Sequence, residues 1–132
     1  MAEIVIYQSD GYFNSIATGL FAAAQLKGLG VDVAVVFDEA AIAALAQKKF
    51  DNSPPLAKHT GTIMANANKM GMPIDGMDYV KQAKSAGVPL YACGGWSDLL
   101  DVRGKLPPEI EVKEIPEVIK LLAEAKKVIG GP

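Results

Sequence analysis

One residue among the 132 is a cysteine, Cys93, in the stretch VPLYACGGWSDLL (88–100). A thiol of ordinary pKa is only about 3% ionised at pH 7, whereas thiols at helix N-termini fall to roughly 3.5–7.5. The apolar run VPLYAC reads as a strand and WSDLLDVRG as a short helix opening near Ser97 and ended by Gly104. Cys93 then lies at the carboxyl end of a strand, facing the next helix, on the edge where open α/β sheets bind ligands. Backbone N–H groups there favour a thiolate, and Gly94 and Gly95 let a ligand approach the chain closely. Trp96 either shields the sulfur from water or packs on a neighbouring helix. Asp98 and Asp101 oppose ionisation if they point at the sulfur, and Arg103 favours it only if the short helix folds back. A second reading stands beside this one: free cysteine is among the most buried residue types and serves as a small apolar filler.

The solitary thiol restricts the chemistry. A C-x-x-C reductase needs a resolving partner, which one chain of this sequence does not supply. A carrier of sulfane sulfur has the opposite need, because a neighbouring thiol would discharge its persulfide as a disulfide. The first loop, QSDGYFNS (8–15), reaches the same sheet edge and offers Gln8, Ser9, Asp10, Tyr12 and Asn14 beside a helix N-terminus, where an anion or small substrate could bind. A simple turn followed by an N-cap explains the same letters, and neither G-x-G-x-x-G nor G-x-x-x-x-G-K-[ST] occurs. His59 has no cysteine, histidine or carboxylate at ligand spacing, so no metal site is expected and a surface histidine is the better reading. It could serve Cys93 as a base only if residues 50–75 fold over the edge. Met64, Met70, Met72 and Met77 read as core or interface filling. Glu109, Glu111, Glu114 and Glu117 read as a solvated face.

These groups need a scaffold, and the pattern supplies one. AEIVIY (2–7) and VDVAVVF (31–37) are short apolar runs of the kind buried in parallel sheets. Between them, from Asn14 or Ser15 as N-cap, Ile16, Leu20, Ala23 and Ala24 recur at helical spacing until Gly28 and Gly30. Asp38 and Glu39 open a second helix that Lys48 and Lys49 close, in keeping with the helix dipole. Residues 50–76 are less readable, with a possible helix near 56–70. A helix from about Asp75 stops at Gly87, EIEVKEI (109–115) reads as an outer strand, and PEVIKLLAEAKKVIGG carries one apolar stripe that includes Val128 and Ile129. Alternating strands and helices imply a three-layer α/β/α domain over residues 1–132, with a central, mostly parallel sheet of four to five strands and flavodoxin-like architecture.

Composition narrows the partners. A formal charge of −2 and a pI near 5.3 offer no basic surface for nucleic acid or anionic lipid. The start MAEIVIY lacks a signal-peptide pattern and no apolar run is long enough to span a bilayer, so a cytoplasmic protein is expected. Half the residues are hydrophobic, which leaves apolar surface over and suggests a homo-oligomer.

From KMGMPIDGMDYVKQAKSAGVPLYACGGWSDLL (69–100), with its helix, A-G-V turn, apolar strand and terminal cysteine, the chain resembles the DsrE/DsrF-like family of small sulfur-relay proteins. The amino-terminal part, through VDVAVVFDEA, is similar to that family's first β-α-β unit. The resemblance implies a five-stranded parallel sheet, homo-oligomers (a trimer or a hexamer), and a cysteine that accepts and passes on sulfur, a position matched here by Cys93 alone. Only four strands stand out in the sequence, so the fifth is expected within 50–75 or as a short one. Some relatives carry a further cysteine downstream, where this chain has Asp101 and Arg103. The function expected is a sulfur carrier or sulfurtransferase working between donor and acceptor proteins or small sulfur compounds, with no metal or organic cofactor. The alternative is a non-catalytic ligand-binding or assembly subunit with a structural cysteine.

Overall fold

The computed structural model of the chain describes residues 2–130. Its elements are β1 (Ile4–Gln8), α1 (Phe13–Gly28), β2 (Val33–Phe37), α2 (Glu39–Gln47), α3 (Pro54–Ala57), α4 (Thr60–Met70), α5 (Gly76–Ser85), β3 (Leu90–Cys93), α6 (Gly94–Leu99), β4 (Glu111–Lys113), α7 (Ile115–Glu124) and β5 (Lys127–Gly130). The strands form one parallel sheet in the order β4-β3-β2-β1-β5. All five residues of β2, VAVVF, are buried, so both faces of the sheet centre must be covered and β-branched side chains fill the pleat.

On one face α1 presents Ile16, Gly19, Leu20 and Ala23, one helical stripe, to the sheet. It packs against β1, β2 and α5, and the Phe13 ring meets Tyr79 edge to face at 6.0 Å between centroids. The side chain of Gln8 lies against Gly19 of α1, so Tyr7, one residue earlier, points to the other face. There α7 lies beside Tyr91 and Lys113, which share that face. Glu114 and Glu117 form its capping box and Pro116 occupies the first turn, but Val118 is its only buried residue. These are the three expected layers.

Several boundaries differ from the sequence reading. The fifth strand is not in residues 50–75, which hold α3 and α4; it is β5, carved from the end of the expected last helix. Ala125, at φ −67° and ψ 139°, breaks α7, and Val128 and Ile129 then pair with Val5 and Ile6 of β1. A β-branched pair fits the end of a helical stripe or a strand equally well, so periodicity alone misassigned it. The N-cap of α1 is Tyr12 rather than Asn14 or Ser15, and no side chain caps it. The helix after Cys93 opens at Gly94, three residues before the expected start.

Leu20 is fully buried in the core between α1 and the sheet. Leu20→Ala is therefore expected to cost about 2–5 kcal/mol of unfolding free energy, read as a lowered urea midpoint at unchanged slope.

Candidate functional site

Parallel strands end on one edge, and the register arranges what stands there. Phe37 pairs with Ala92 and Cys93 with Lys113, while the Asp38 N–H continues the ladder to the Gln8 carbonyl at 2.9 Å. Asp38, Cys93 and Lys113 thus follow one another across three strands, on the face that carries Tyr7 two positions back. The Tyr7 hydroxyl donates to Asp38 Oδ2. Oδ1 of the same carboxylate accepts the Glu39 N–H at 3.0 Å and caps α2. Asp38 is only 8% exposed, and these two donors each engage one of its carboxylate oxygens. Burial, the hydrogen bond to Asp38 and neighbouring negative charge, Cys93 among its sources, push the Tyr7 phenol well above its ordinary value near 10. Sequence reading missed Tyr7 altogether and took Asp38 for a helix-dipole charge. Its place one residue beyond a buried strand was the available signal.

Cys93 closes β3 and is the N-cap of α6. The Ser97 hydroxyl donates to its carbonyl at 2.8 Å and locks the turn. The expected edge position holds, but the residue is not open: it is 6% exposed, and no hydrogen bond reaches its sulfur among the described residues. The two glycines make room for the chain itself. A Cβ on Gly94 would stand 2.8 Å from Arg103 Nη2 and 3.1 Å from the Lys113 carbonyl oxygen. On Gly95 it would meet Ile115 Cδ1 at 2.7 Å, with Cys93 Sγ at 3.7 Å. The sulfur and the half-exposed Ile115 therefore both border the space beside Gly95. Trp96 is 39% exposed and flanks this turn on the solvent side.

Arg103 does fold back. Its guanidinium pairs with Asp98 at 2.8 Å and Glu114 at 2.7 Å, and reaches the Gly94 carbonyl at 3.4 Å. The Asp98 carboxyl is held below its usual range by the hydrogen bonds from Arg103. This clasp ties α6 to the start of α7 and uses the Arg103 charge on carboxylates rather than on the sulfur. Lys113 is likewise engaged, with Glu111 at 3.1 Å and Glu117 at 3.6 Å, and it lies over the Tyr91 ring. Glu109, Glu111, Glu114 and Glu117 are thus divided between surface ion pairs and solvent, not gathered as a carboxylate pair.

The first loop builds a different place. Gln8, Ser9, Asp10 and Asn14 line a groove of about 620 Å³ between β1, β5 and α1, while Tyr12 turns away toward Ala40 and Gln47 of α2. Asp10 serves the α1 N-terminus itself: Oδ1 accepts the Tyr12 N–H at 3.0 Å and Oδ2 the Ser15 hydroxyl at 2.9 Å. The candidate residues therefore fall into two groups, one around Cys93 and one around Gln8. His59 is exposed between α3 and α4, and no cluster of three or more metal-ligating side chains occurs among the described residues. Of the methionines, Met77 is buried, Met72 half-buried, and Met64 and Met70 exposed. No helix among the described residues is long and apolar enough to cross a membrane.

No model of a known protein family matches the chain, and no curated protein does. Solved structures do. The ychN protein from E. coli aligns over 98% of both chains with a TM-score of 0.67 at 18% identity. A conserved protein of unknown function from Bacteroides thetaiotaomicron, BT1422, aligns over 96% of this chain and 93% of its own with a TM-score of 0.62 at 12% identity. At such identities the likeness establishes the fold: a five-stranded parallel α/β domain shared over nearly the whole chain.

Two outcomes follow from the rim geometry. Ile115→Ala enlarges the space beside Gly95 and is expected to speed Cys93 alkylation by iodoacetamide several-fold, with circular dichroism unchanged. The raised Tyr7 phenol leaves stability intact below pH 10, where the unfolded chain also keeps the proton. Above it the unfolded phenol ionises first, and stability falls as pH climbs toward the folded value. Tyr7→Phe is expected to flatten that alkaline decline in a series of melts, leaving the smaller slope due to Tyr79, whose phenol burial also raises.

Proposed function

We propose that the protein carries sulfane sulfur on Cys93. One observation supports this above the others: the only thiol of the chain sits at the carboxyl end of β3, on the sheet edge, with the Tyr7–Asp38 pair, from β1 and the end of β2, on the same face. The resemblance of residues 69–100 to the DsrE/DsrF-like family points the same way. The Cys93 thiolate attacks the outer sulfur of a polysulfide; a new S–S bond forms, the donor's S–S bond breaks, and the shortened polysulfide leaves with the electron pair. An acceptor thiolate then attacks the outer sulfur of the Cys93 persulfide and releases the Cys93 thiolate. The two exchanges together need no external oxidant or reductant. Cys93 is only 6% exposed, so donor and acceptor need a local opening of the rim to reach the sulfur. Homo-oligomer assembly belongs to the same proposal, supported by the half-exposed Ile115, Ile119, Val128 and Ile129 on α7 and β5.

The burial of Cys93 favours a second reading, a ligand-binding or assembly subunit whose cysteine only packs. Intact mass spectrometry after incubation with polysulfide separates the two. Sulfur additions on the wild type that disappear in Cys93→Ser and on treatment with dithiothreitol are the expected result; an unmodified wild-type mass leaves the packing reading in place.

A further inference from the structure

We infer that the groove between β1, β5 and the amino-terminal half of α1 binds a small uncharged molecule that presents an N–H and a C=O side by side, as a carboxamide or a lactam does. The proposal stands apart from the thiol chemistry, since Cys93 is not among the lining residues.

Gln8 carries the argument. It is the last residue of β1 and only 8% exposed, yet its amide makes no hydrogen bond among the described residues. A buried amide without partners is costly to a folded chain, and native structures retain few of them. It is not sealed in either: the one polar side-chain atom both enclosed and unpartnered among the described residues is Asn52 Oδ1. The Gln8 amide therefore keeps open surface, and Gln8 lines the groove.

Gly19 makes the position possible. A Cβ there would fall 1.5 Å from Gln8 Nε2, so any side chain would drive the amide out. Glycine in the middle of a helix weakens it. A helix position that weakens α1 thus leaves room for the Gln8 amide beside the groove.

The remaining walls select the ligand. No lysine, arginine or histidine lines the groove among the described residues. Asp10, the one carboxylate lining it among the described residues, already occupies the helix N-terminus where an anion would go. Phosphate, sulfate and carboxylate groups are therefore disfavoured. Ile6, Ala22, Leu56 and Ile129 give the ligand body an apolar bed. A volume of about 620 Å³ suits a compact organic molecule, within the usual roughly 300–1,000 Å³ of ligand sites. A primary amide offers one donor edge and one acceptor edge, and its planar complement is another amide-type edge.

The test is a 1H–15N NMR titration of the full chain with nicotinamide (a carboxamide), uracil (a lactam) and nicotinate (the ring of the first with a charge). Saturable shifts of the Gln8 side-chain NH2 pair with nicotinamide or uracil, but not nicotinate, are expected, and which of the two acts tells carboxamide from lactam. Gln8→Met keeps the shape without the polar atoms. It is expected to abolish the shifts in the groove while circular dichroism stays unchanged. Gly19→Ala, which displaces the amide, is expected to abolish them as well. Absence of shifts with both neutral probes, equal response to nicotinate, or shifts that persist in Gln8→Met would overturn the proposal.

Discussion

Every layer of this chain answers to the central strand, whose five side chains have no access to water on either face. Such a strand needs a neighbour on each side and helices above and below. Parallel neighbours need long crossovers, and these supply the helices. The same arrangement sends all strand ends to one edge. Polar groups excluded from the sheet centre collect there: Asp38 after β2, Cys93 closing β3, Lys113 closing β4, and Tyr7 reaching Asp38 from β1. The rim is thus a by-product of burying VAVVF.

Much of this was legible. The β-α-β-α opening, the helix from Asp75 and the placement of Cys93 at a strand end all follow from apolar period, caps and stops, because those signals are local. The misses have physical causes too. Val128 and Ile129 continue the stripe of α7 by count, and only the vacant outer edge of β1 makes them a strand. Gly94 and Gly95 look like an open turn for a ligand in sequence, but their missing side chains admit Arg103 and Ile115 from later in the chain. Tyr7 and Gln8 are adjacent letters in an apolar run, and their assignment to opposite faces with different partners depends on strand register. Local sequence does not encode what a distant segment brings.

The glycines at the rim work in two ways. Gly95 lets Ile115 close against the turn that carries the sulfur, and Gly19 leaves a recess in α1 that houses the Gln8 amide. One admits an apolar side chain from α7 and the other makes room for a polar group.

The outermost strand, β5, is four residues long and exposed throughout, yet it pairs along β1, the strand that bears both Tyr7 and Gln8. Gly130, at φ +92°, passes so near the Tyr7 carbonyl that no side chain fits there. Clipping the chain ahead of Lys127 would strip β1 of its outer hydrogen-bond partner and leave Tyr7 and Gln8 on a bare sheet margin. A protease acting on a handful of surface residues would in this way loosen both polar clusters at once.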